Sequence, residues 1–533
     1  MTQAISPATL RAWLDDGDEL ALFDVREAGL FGEGHLFFAV PLPYSRLELD
    51  AGWLAPRRSA RIVLIDGGDG LASRAARRLA DLGYFRVAVL DGGTPAWEQA
   101  GHVLFKGVNV PSKTFGELAE QTYATPHVSA LQLDALRKSG RKIAILDGRT
   151  VEEHHKMTIP DATSCPNGEL AYRLRAIVPD DDTTIVVNCA GRTRSIIGAQ
   201  TLRNLGIPNP VYALENGTQG WYLNDLALEY RSQRRYPTEV APELGTERAA
   251  AGRLLARFGI PTLTASQAQH WIDDPARTTY VLDVRTAEEF AAGTLPGARH
   301  APGGQLIQAT DQYVGVRNSR LILLDEEAVR APLVASWMHQ LGFEVAVVEE
   351  GIRARLQLTA APAAPVQAVA TVTAQQLRQW SEAGQSFTLL DLRSSAAYRE
   401  QHPQGAIWAT RLNVVARLEA AGQAGAPVVL IGDRKGEASL VALDLREAGV
   451  RQIHAVSDGL ATIAAAGIPM ISTPAEPPDH ERIDFLFFVH DRHDGNREAA
   501  RRYLAWETGL IAQCRDGELA RFRLPASFQA AAG

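Results

Sequence analysis

The sequence predicts four tandem three-layer α/β/α domains with mainly parallel sheets, followed by a small C-terminal α/β extension. Three observations carry this. An apolar strand ending in Asp-x-Arg occurs four times, as Phe23-Asp24-Val25-Arg26, Leu146-Asp147-Gly148-Arg149, Leu282-Asp283-Val284-Arg285 and Leu390-Asp391-Leu392-Arg393. The four aspartates recur at intervals of domain length, and an alanine stands at one fixed offset after each, at Ala39, Ala162, Ala298 and Ala406. A second apolar strand ends at positions 66, 189, 325 and 432, again at a near-constant offset from those aspartates. A repeat of this length is a domain, and a chain of 533 residues is too long for one core.

The elements follow in order. Each Asp-x-Arg strand leads through its alanine turn to the second strand, seen as Arg61–Asp66, Ile185–Cys189, Leu321–Asp325 and Val428–Gly432. A glycine follows each strand end at the same distance, at Gly83, Gly206, Gly342 and Gly449, where it suits the C-cap of an intervening helix. A third strand comes next, as in Val87–Leu90 and Val345–Val348, and then an acidic residue and a glycine: Asp91-Gly92, Glu215-Asn216-Gly217, Glu350-Gly351 and Asp458-Gly459. Continuous apolar strands alternating with helices predict parallel sheets covered on both faces. These landmarks place the units at 1–112, 120–235, 262–358 and 371–474, with a helical connector at 236–261, an Ala/Pro linker at 359–370 and the extension at 479–533. Within the connector a helix is expected from Glu243 to Phe258. Within the extension the pattern predicts a strand at Asp484–Val489, a helix at Arg497–Cys514 and a strand at Leu519–Leu524, with Phe485, Phe487 and Phe488 covering an exposed sheet or a subunit contact.

Composition narrows the functions. With 54 basic and 62 acidic residues the net charge is −8, so nucleic acid and anionic membranes are not expected partners. Three cysteines, Cys165, Cys189 and Cys514, are too few for a disulfide framework and suit a reducing compartment. The N-terminal stretch lacks the basic and apolar regions of a signal peptide, and no apolar run is long enough to span a bilayer. A soluble cytoplasmic protein is expected.

Ligands of such sheets bind at the carboxyl ends of the strands, so chemistry is sought in the loops that begin at 66, 189, 325 and 432. Unit two places Cys189-Ala190-Gly191-Arg192-Thr193-Arg194-Ser195 between its second strand and a helix. Amides and the positive dipole end at a helix N-terminus stabilise an anion, and the two arginines add charge, so Cys189 is expected to be a thiolate nucleophile. Gly191 lets successive N–H groups face one point, while Arg192 and Arg194 are placed to hold an oxyanion. Units one, three and four carry Asp66, Asp325 and Gly432 instead and cannot form a covalent sulfur intermediate. Their aspartates suit helix capping.

These residues together resemble the rhodanese sulfurtransferase family, whose pattern is an Asp-x-Arg strand end, a Gly-His-Ile-Pro-Gly-Ala turn and a Cys-x-x-x-x-Arg loop. The resemblance extends to about residue 473. The turn reads Gly34-His-Leu-Phe-Phe-Ala39, Met157-Thr-Ile-Pro-Asp-Ala162, Gly293-Thr-Leu-Pro-Gly-Ala298 and His402-Pro-Gln-Gly-Ala406 in the four units. Cys189 and Arg194 match the family's cysteine and closing arginine, whereas a phosphatase or arsenate reductase loop places its arginine where Ser195 stands. The resemblance implies that unit two is catalytic and that the other three units are not. It implies that Cys189 takes the outer sulfur of a small anionic donor, thiosulfate first and 3-mercaptopyruvate or glutathione persulfide next, and passes it to cyanide or a thiol. The donor-binding residues are then Ala190, Gly191, Arg192, Thr193, Arg194 and Ser195, with no cofactor and no metal. The alternative is a sulfur relay or scaffold whose cysteine-less units dock partner proteins; covering the pocket and forming a homodimer are further roles open to them.

Asp147, Arg149, Glu169 and Arg173 are candidates for supporting the pocket, although the Asp-x-Arg pair recurs in every unit. Cys165 and Cys514 read as structural, as do Trp97 and Trp221, and His490, Asp491, His493 and Asp494 read as a solvated turn.

Overall fold

Each Asp-x-Arg pair closes on itself. In the computed structural model, which describes residues 3–240, 243–359, 367–422, 425–457, 459–493 and 495–525, the arginine side chain grips the aspartate two residues earlier in all four units. The same guanidinium then donates to a carbonyl eight residues further on, at Gly34, Met157, Gly293 and Gln401. An ion pair on a fully buried aspartate, whose arginine also bonds a carbonyl further on, fixes the turn after the strand, which explains the recurrence of the motif in units with and without a cysteine.

All four units have one strand order. In unit two it runs His127–Val128, Val211–Leu214, Thr184–Asn188, Ile143–Asp147, Thr163–Ser164, every neighbour parallel. Units three and four repeat it with their own five parallel strands. Two short strands per unit, one before the Asp-x-Arg strand and one after the alanine turn, add to the three legible in the sequence. The opening strand is followed directly by Ser6, Ser129, Thr264 or Thr373, each of which caps the next helix with its hydroxyl. Gly83, Gly206, Gly342 and Gly449 all adopt the left-handed conformation just past a helix, as their spacing predicts.

The units are not beads on a string. Unit one's sheet is completed by Val316–Arg317 of unit three, antiparallel to Leu20–Asp24. One apolar core runs through units one, two and three, uniting Phe23, Phe115, Val187, Leu323 and Trp337. Units two and three also share a buried charge network, in which Arg330, 1% exposed, pairs with Glu169, Glu289 and Glu327. Unit four keeps its own cores and docks on unit one through Arg411, whose fully buried guanidinium lies between Glu48 and Asp444. The connector helix runs from Gly245 to Phe258, and Trp97 and Trp221 are buried packing residues. Among the described residues no helix is long and apolar enough to cross a membrane.

The extension differs from its prediction. Among its described residues it holds no strand: Asp484–Val489 is irregular and ends in a helical turn at Phe487–His490, and Asp516–Leu519 is a further helical turn. The predicted helix is interrupted at Gly509, giving Arg497–Thr508 and Leu510–Gln513. A short apolar run pairs as a strand only where an open edge receives it, and here the run crosses helix faces instead. Gly29 N–H donates to the Ile483 carbonyl at 2.8 Å, Arg482 stacks on Phe485, and Phe488 packs on Tyr503 and Trp506. The three phenylalanines therefore make contacts within the chain. Residues 360–366 of the expected linker, 241–242 of the connector, Asp458, Asp494 and 526–533 lie outside the described residues.

Candidate active site

The buried strand Thr184–Asn188 delivers Cys189, 2% exposed, to the start of the loop that feeds the helix Thr193–Leu205. The loop is held from the side by the turn after the third strand. Thr218 N–H donates to the Cys189 carbonyl at 2.8 Å and Gln219 N–H to the Ala190 carbonyl at 3.1 Å. This approach needs Gly217, at φ +52°, because a β-carbon there would lie 2.2 Å from the Cys189 oxygen. Ser195 Oγ donates to the Arg192 and Leu214 carbonyls, and Asn167 Nδ2 to the Arg194 carbonyl. With its carbonyls committed in this way, the loop keeps the N–H groups of residues 190 to 194 without a carbonyl or carboxylate acceptor among the described residues. Free amides at the N-terminus of a helix of 13 residues make an anion cradle beside the thiol.

The other units fill or lack this cradle. Asp325 accepts from the N–H groups of Ala328, Val329 and Ala331 at 3.1, 2.9 and 2.9 Å, and Asp66 accepts from Gly68 and Ala72 at 2.9 Å each. Each of these loops carries its own carboxylate where an incoming anion would sit. Gly432 of unit four has no side chain to offer.

The two loop arginines arrive already paired. Arg194 makes a two-pronged contact with Glu153 at 2.6 and 2.9 Å, and Arg192 does the same with Glu117 at 2.8 and 2.9 Å, with Glu120 alongside. Burial disfavours ionisation of Glu153, but the Arg194 charge outweighs it and holds the carboxyl at about 2. Arg194 is itself pushed above its ordinary value, since Glu153, with lesser contributions from Cys189 and Asp147, overcomes burial.

Asp147 and Arg149 lie behind the loop as the turn lock of unit two, with Thr158 Oγ1 donating to Asp147 at 2.7 Å. Glu169 and Arg173 are not brought to the loop; they pair with each other at 3.0 Å and face Arg330 and Glu289 of unit three. Cys165 is fully buried and burial pushes its thiol well above the ordinary range; Cys514 is pushed up to about 12 by burial.

Residues remote in sequence complete the site. The helix Val110–Tyr123, between units one and two, contributes Lys113 as well as Glu117 and Glu120, and the extension's helix Arg497–Thr508 contributes Tyr503 and Glu507. Thr193 Oγ1 donates to Glu507 at 3.0 Å, and Lys113 Nζ reaches Glu507 at 3.3 Å and also bonds the Tyr503 hydroxyl. Nothing in the local sequence around 507 marks it as part of this site; only the fold brings it there.

Four repeats of one parallel α/β unit, with a thiol in an anion cradle in the second, define a multidomain rhodanese-fold protein. The family model for the rhodanese-like domain matches residues 6–100, 129–224, 264–356 and 373–466, and the chain belongs to this family. It is similar over its length to the crystal structure of thiosulfate sulfurtransferase from Pseudomonas aeruginosa, with 40% identity and a TM-score of 0.89, covering 99% of this chain and 100% of that one. The Alr3790 protein from Anabaena sp. matches over 19% of this chain and 92% of its own, at 26% identity and a TM-score of 0.18. The BH2092 protein from Bacillus halodurans matches over 21% and 81%, at 20% identity and a TM-score of 0.19. No curated protein matches the chain.

Proposed function

We propose that the chain is a sulfurtransferase that carries sulfane sulfur on Cys189. The observation that supports this most directly is the contrast between unit two, where a cysteine stands beside five unengaged amides, and units one and three, where an aspartate has taken them. The similarity over the whole chain to a protein described as a thiosulfate sulfurtransferase supports thiosulfate as the donor.

In this reading the Cys189 thiolate attacks the outer sulfur of thiosulfate, a new S–S bond forms, and sulfite leaves with the electron pair of the broken one. The persulfide anion sits in the amide cradle, which stabilises the charge before and after transfer. A thiophile such as cyanide or a thiolate then bonds the outer sulfur, and the Cys189 thiolate returns. Arg194, neutralised by Glu153, holds the loop's far end and orients it; the amides act as the donors to the anion. Unit two is the catalytic unit, units one and three pack against it, and unit four docks on unit one. The scarcity of cysteines favours a reducing, cytoplasmic setting.

The test is intact-protein mass after brief exposure to thiosulfate, with sulfite release followed in the same samples. A gain of about 32 Da with stoichiometric sulfite, absent in Cys189→Ala, is expected. No gain from thiosulfate, 3-mercaptopyruvate or glutathione persulfide would overturn the reading and leave a scaffold in its place.

A further inference from the structure

Where the extension's helix crosses the Cys189 loop it brings a carboxylate that the chain's own contacts only half use. Glu507 is 1% exposed. Its Oε1 accepts from Thr193 and Lys113. Its Oε2 has no hydrogen-bond partner among the described residues and lies 2.9 Å from the place a β-carbon on Gly191 would occupy, so it faces the second residue after the nucleophile. Gln219 faces the same place. Its Nε2 lies 3.8 Å from that point, and neither Nε2 nor Oε1 has a partner although the residue is 5% exposed. The Gln219 N–H holds the Ala190 carbonyl, which anchors the residue to the loop.

A buried polar atom left without a partner costs on the order of 1–3 kcal/mol. Three of them beside the thiol-bearing loop are open to hydrogen bonds from a bound molecule. The positions equivalent to Gln219 are Pro95 in unit one, Arg353 in unit three and Ala461 in unit four, so the carboxamide belongs to the unit that has the cysteine. The charge of the receptor is settled by its neighbours. Burial works against ionisation of Glu507, yet Lys113 and Arg492 outweigh it and hold the carboxyl below its ordinary value. It is therefore a fixed anion at neutral pH rather than a proton donor. Lys113 lies on the other oxygen, so the open Oε2 is the side left for a further N–H donor, and an ammonium is the strongest such donor.

We propose that Glu507 and Gln219 select the sulfur acceptor, and that the acceptor is a thiol carrying an ammonium group. The proposal rests on the persulfide reading above for its catalytic step. The acceptor thiolate bonds the outer sulfur of the Cys189 persulfide, the S–S bond breaks, and its electron pair stays on Cys189; the acceptor leaves as a persulfide, and no outside oxidant is needed. During this step the ammonium donates to Glu507 Oε2 while the Gln219 carboxamide lines the other side of the same point, which places the thiolate over the loop.

The test compares cysteamine, 2-mercaptoethanol and 3-mercaptopropionate, at equal thiolate concentration, as acceptors from the loaded protein. Cysteamine is expected to discharge the persulfide at least about tenfold faster than 2-mercaptoethanol, with 3-mercaptopropionate slowest, and Glu507→Gln to bring the three rates within about threefold of one another. Equal rates in the wild type, or an undiminished preference in Glu507→Gln, would overturn the proposal. Gln219→Met, expected to lower the preference for cysteamine, serves if Glu507→Gln does not fold. A second measurement needs no persulfide: Cys189 itself is reacted with cystamine and with bis(2-hydroxyethyl) disulfide, and mixed-disulfide mass is followed. The same preference is expected there even if no donor loads the protein, so failed loading would count against sulfur transfer, and equal disulfide rates would count against acceptor selection.

Discussion

Replacing Gly217 with alanine tests how finely the Cys189 loop must be held. The new methyl carbon would stand 2.2 Å from the Cys189 carbonyl oxygen and 2.7 Å from its carbon, at a backbone φ of +52°. Left-handed backbone costs a residue with a β-carbon about 1 kcal/mol, and forced overpacking adds about 1–3 kcal/mol. Relief of the contact requires the two segments to part by about 1 Å, a displacement that costs roughly 100-fold in rate when it moves a reacting group. Gly351 of unit three supplies the control, since its alanine carbon would lie 2.0 Å from the Asp325 oxygen at φ +53°, in a loop without a thiol. Both variants are therefore expected to lose about 2–4 kcal/mol of stability. Only Gly217→Ala is expected to slow sulfur uptake, by about two orders of magnitude. Denaturant unfolding and the rate of mass gain on thiosulfate, measured on both variants below their unfolding transitions, decide the matter. Equal slowing in the two, or uptake by Gly217→Ala within about threefold of wild type, would refute the argument that the turn positions the nucleophile.

Further outcomes follow from the buried charges. Arg411→Ala strands Glu48 and Asp444 in the junction of units one and four, although Arg78 still reaches both, so a loss of about 3 kcal/mol is expected, with unit four unfolding in a separate calorimetric transition. Glu437 is pushed by burial from 4.5 to about 7. Its folded form therefore binds the proton more tightly than the unfolded form, and the stability this carries is complete below pH 4.5 and lost as pH rises through about 7. Glu437→Gln should consequently change little at pH 5 and raise stability by up to about 3 kcal/mol at pH 8, read from urea midpoints. In unit three, burial and then the Glu327 charge push Asp325 up to about 7, so the same position disfavours a thiolate. Asp325→Cys in a Cys189→Ala background should gain no sulfur mass from thiosulfate.

The parts of the molecule that were legible in the sequence are those built from neighbours in the chain. Asp147 and Arg149 pair two residues apart, Gly206 ends the helix that precedes it, and Cys189 follows directly on its strand, so spacing alone carries them. The rest of the site is assembled by tertiary contact. Glu507 meets Thr193 across 314 residues, and Lys113 lies in a helix that belongs to no repeat. The loop arginines read as free donors because their partners, Glu153, Glu117 and Glu120, are found only once the helices pack. Glu169 and Arg173 follow the alanine turn closely enough to suggest the pocket, yet they serve the junction with unit three, whose approach no local pattern encodes. The extension misled for another reason: an apolar run of five residues, Phe485 to Val489, has no periodicity to separate strand from irregular cover, and it lies against helix faces rather than a sheet edge.

The strand Val316–Arg317 that completes unit one's sheet has a consequence for synthesis. It leaves the ribosome long after the strand Leu20–Asp24 that it pairs with, since most of three units must be made in between. At roughly 5–20 residues per second the nascent first unit waits about 15–60 s with half of that edge bare. Such an edge invites pairing with other chains, and only completion of the third unit removes it. The first repeat, though it looks in sequence like a domain that could be cut out and expressed alone, finishes its sheet only with a strand of the third.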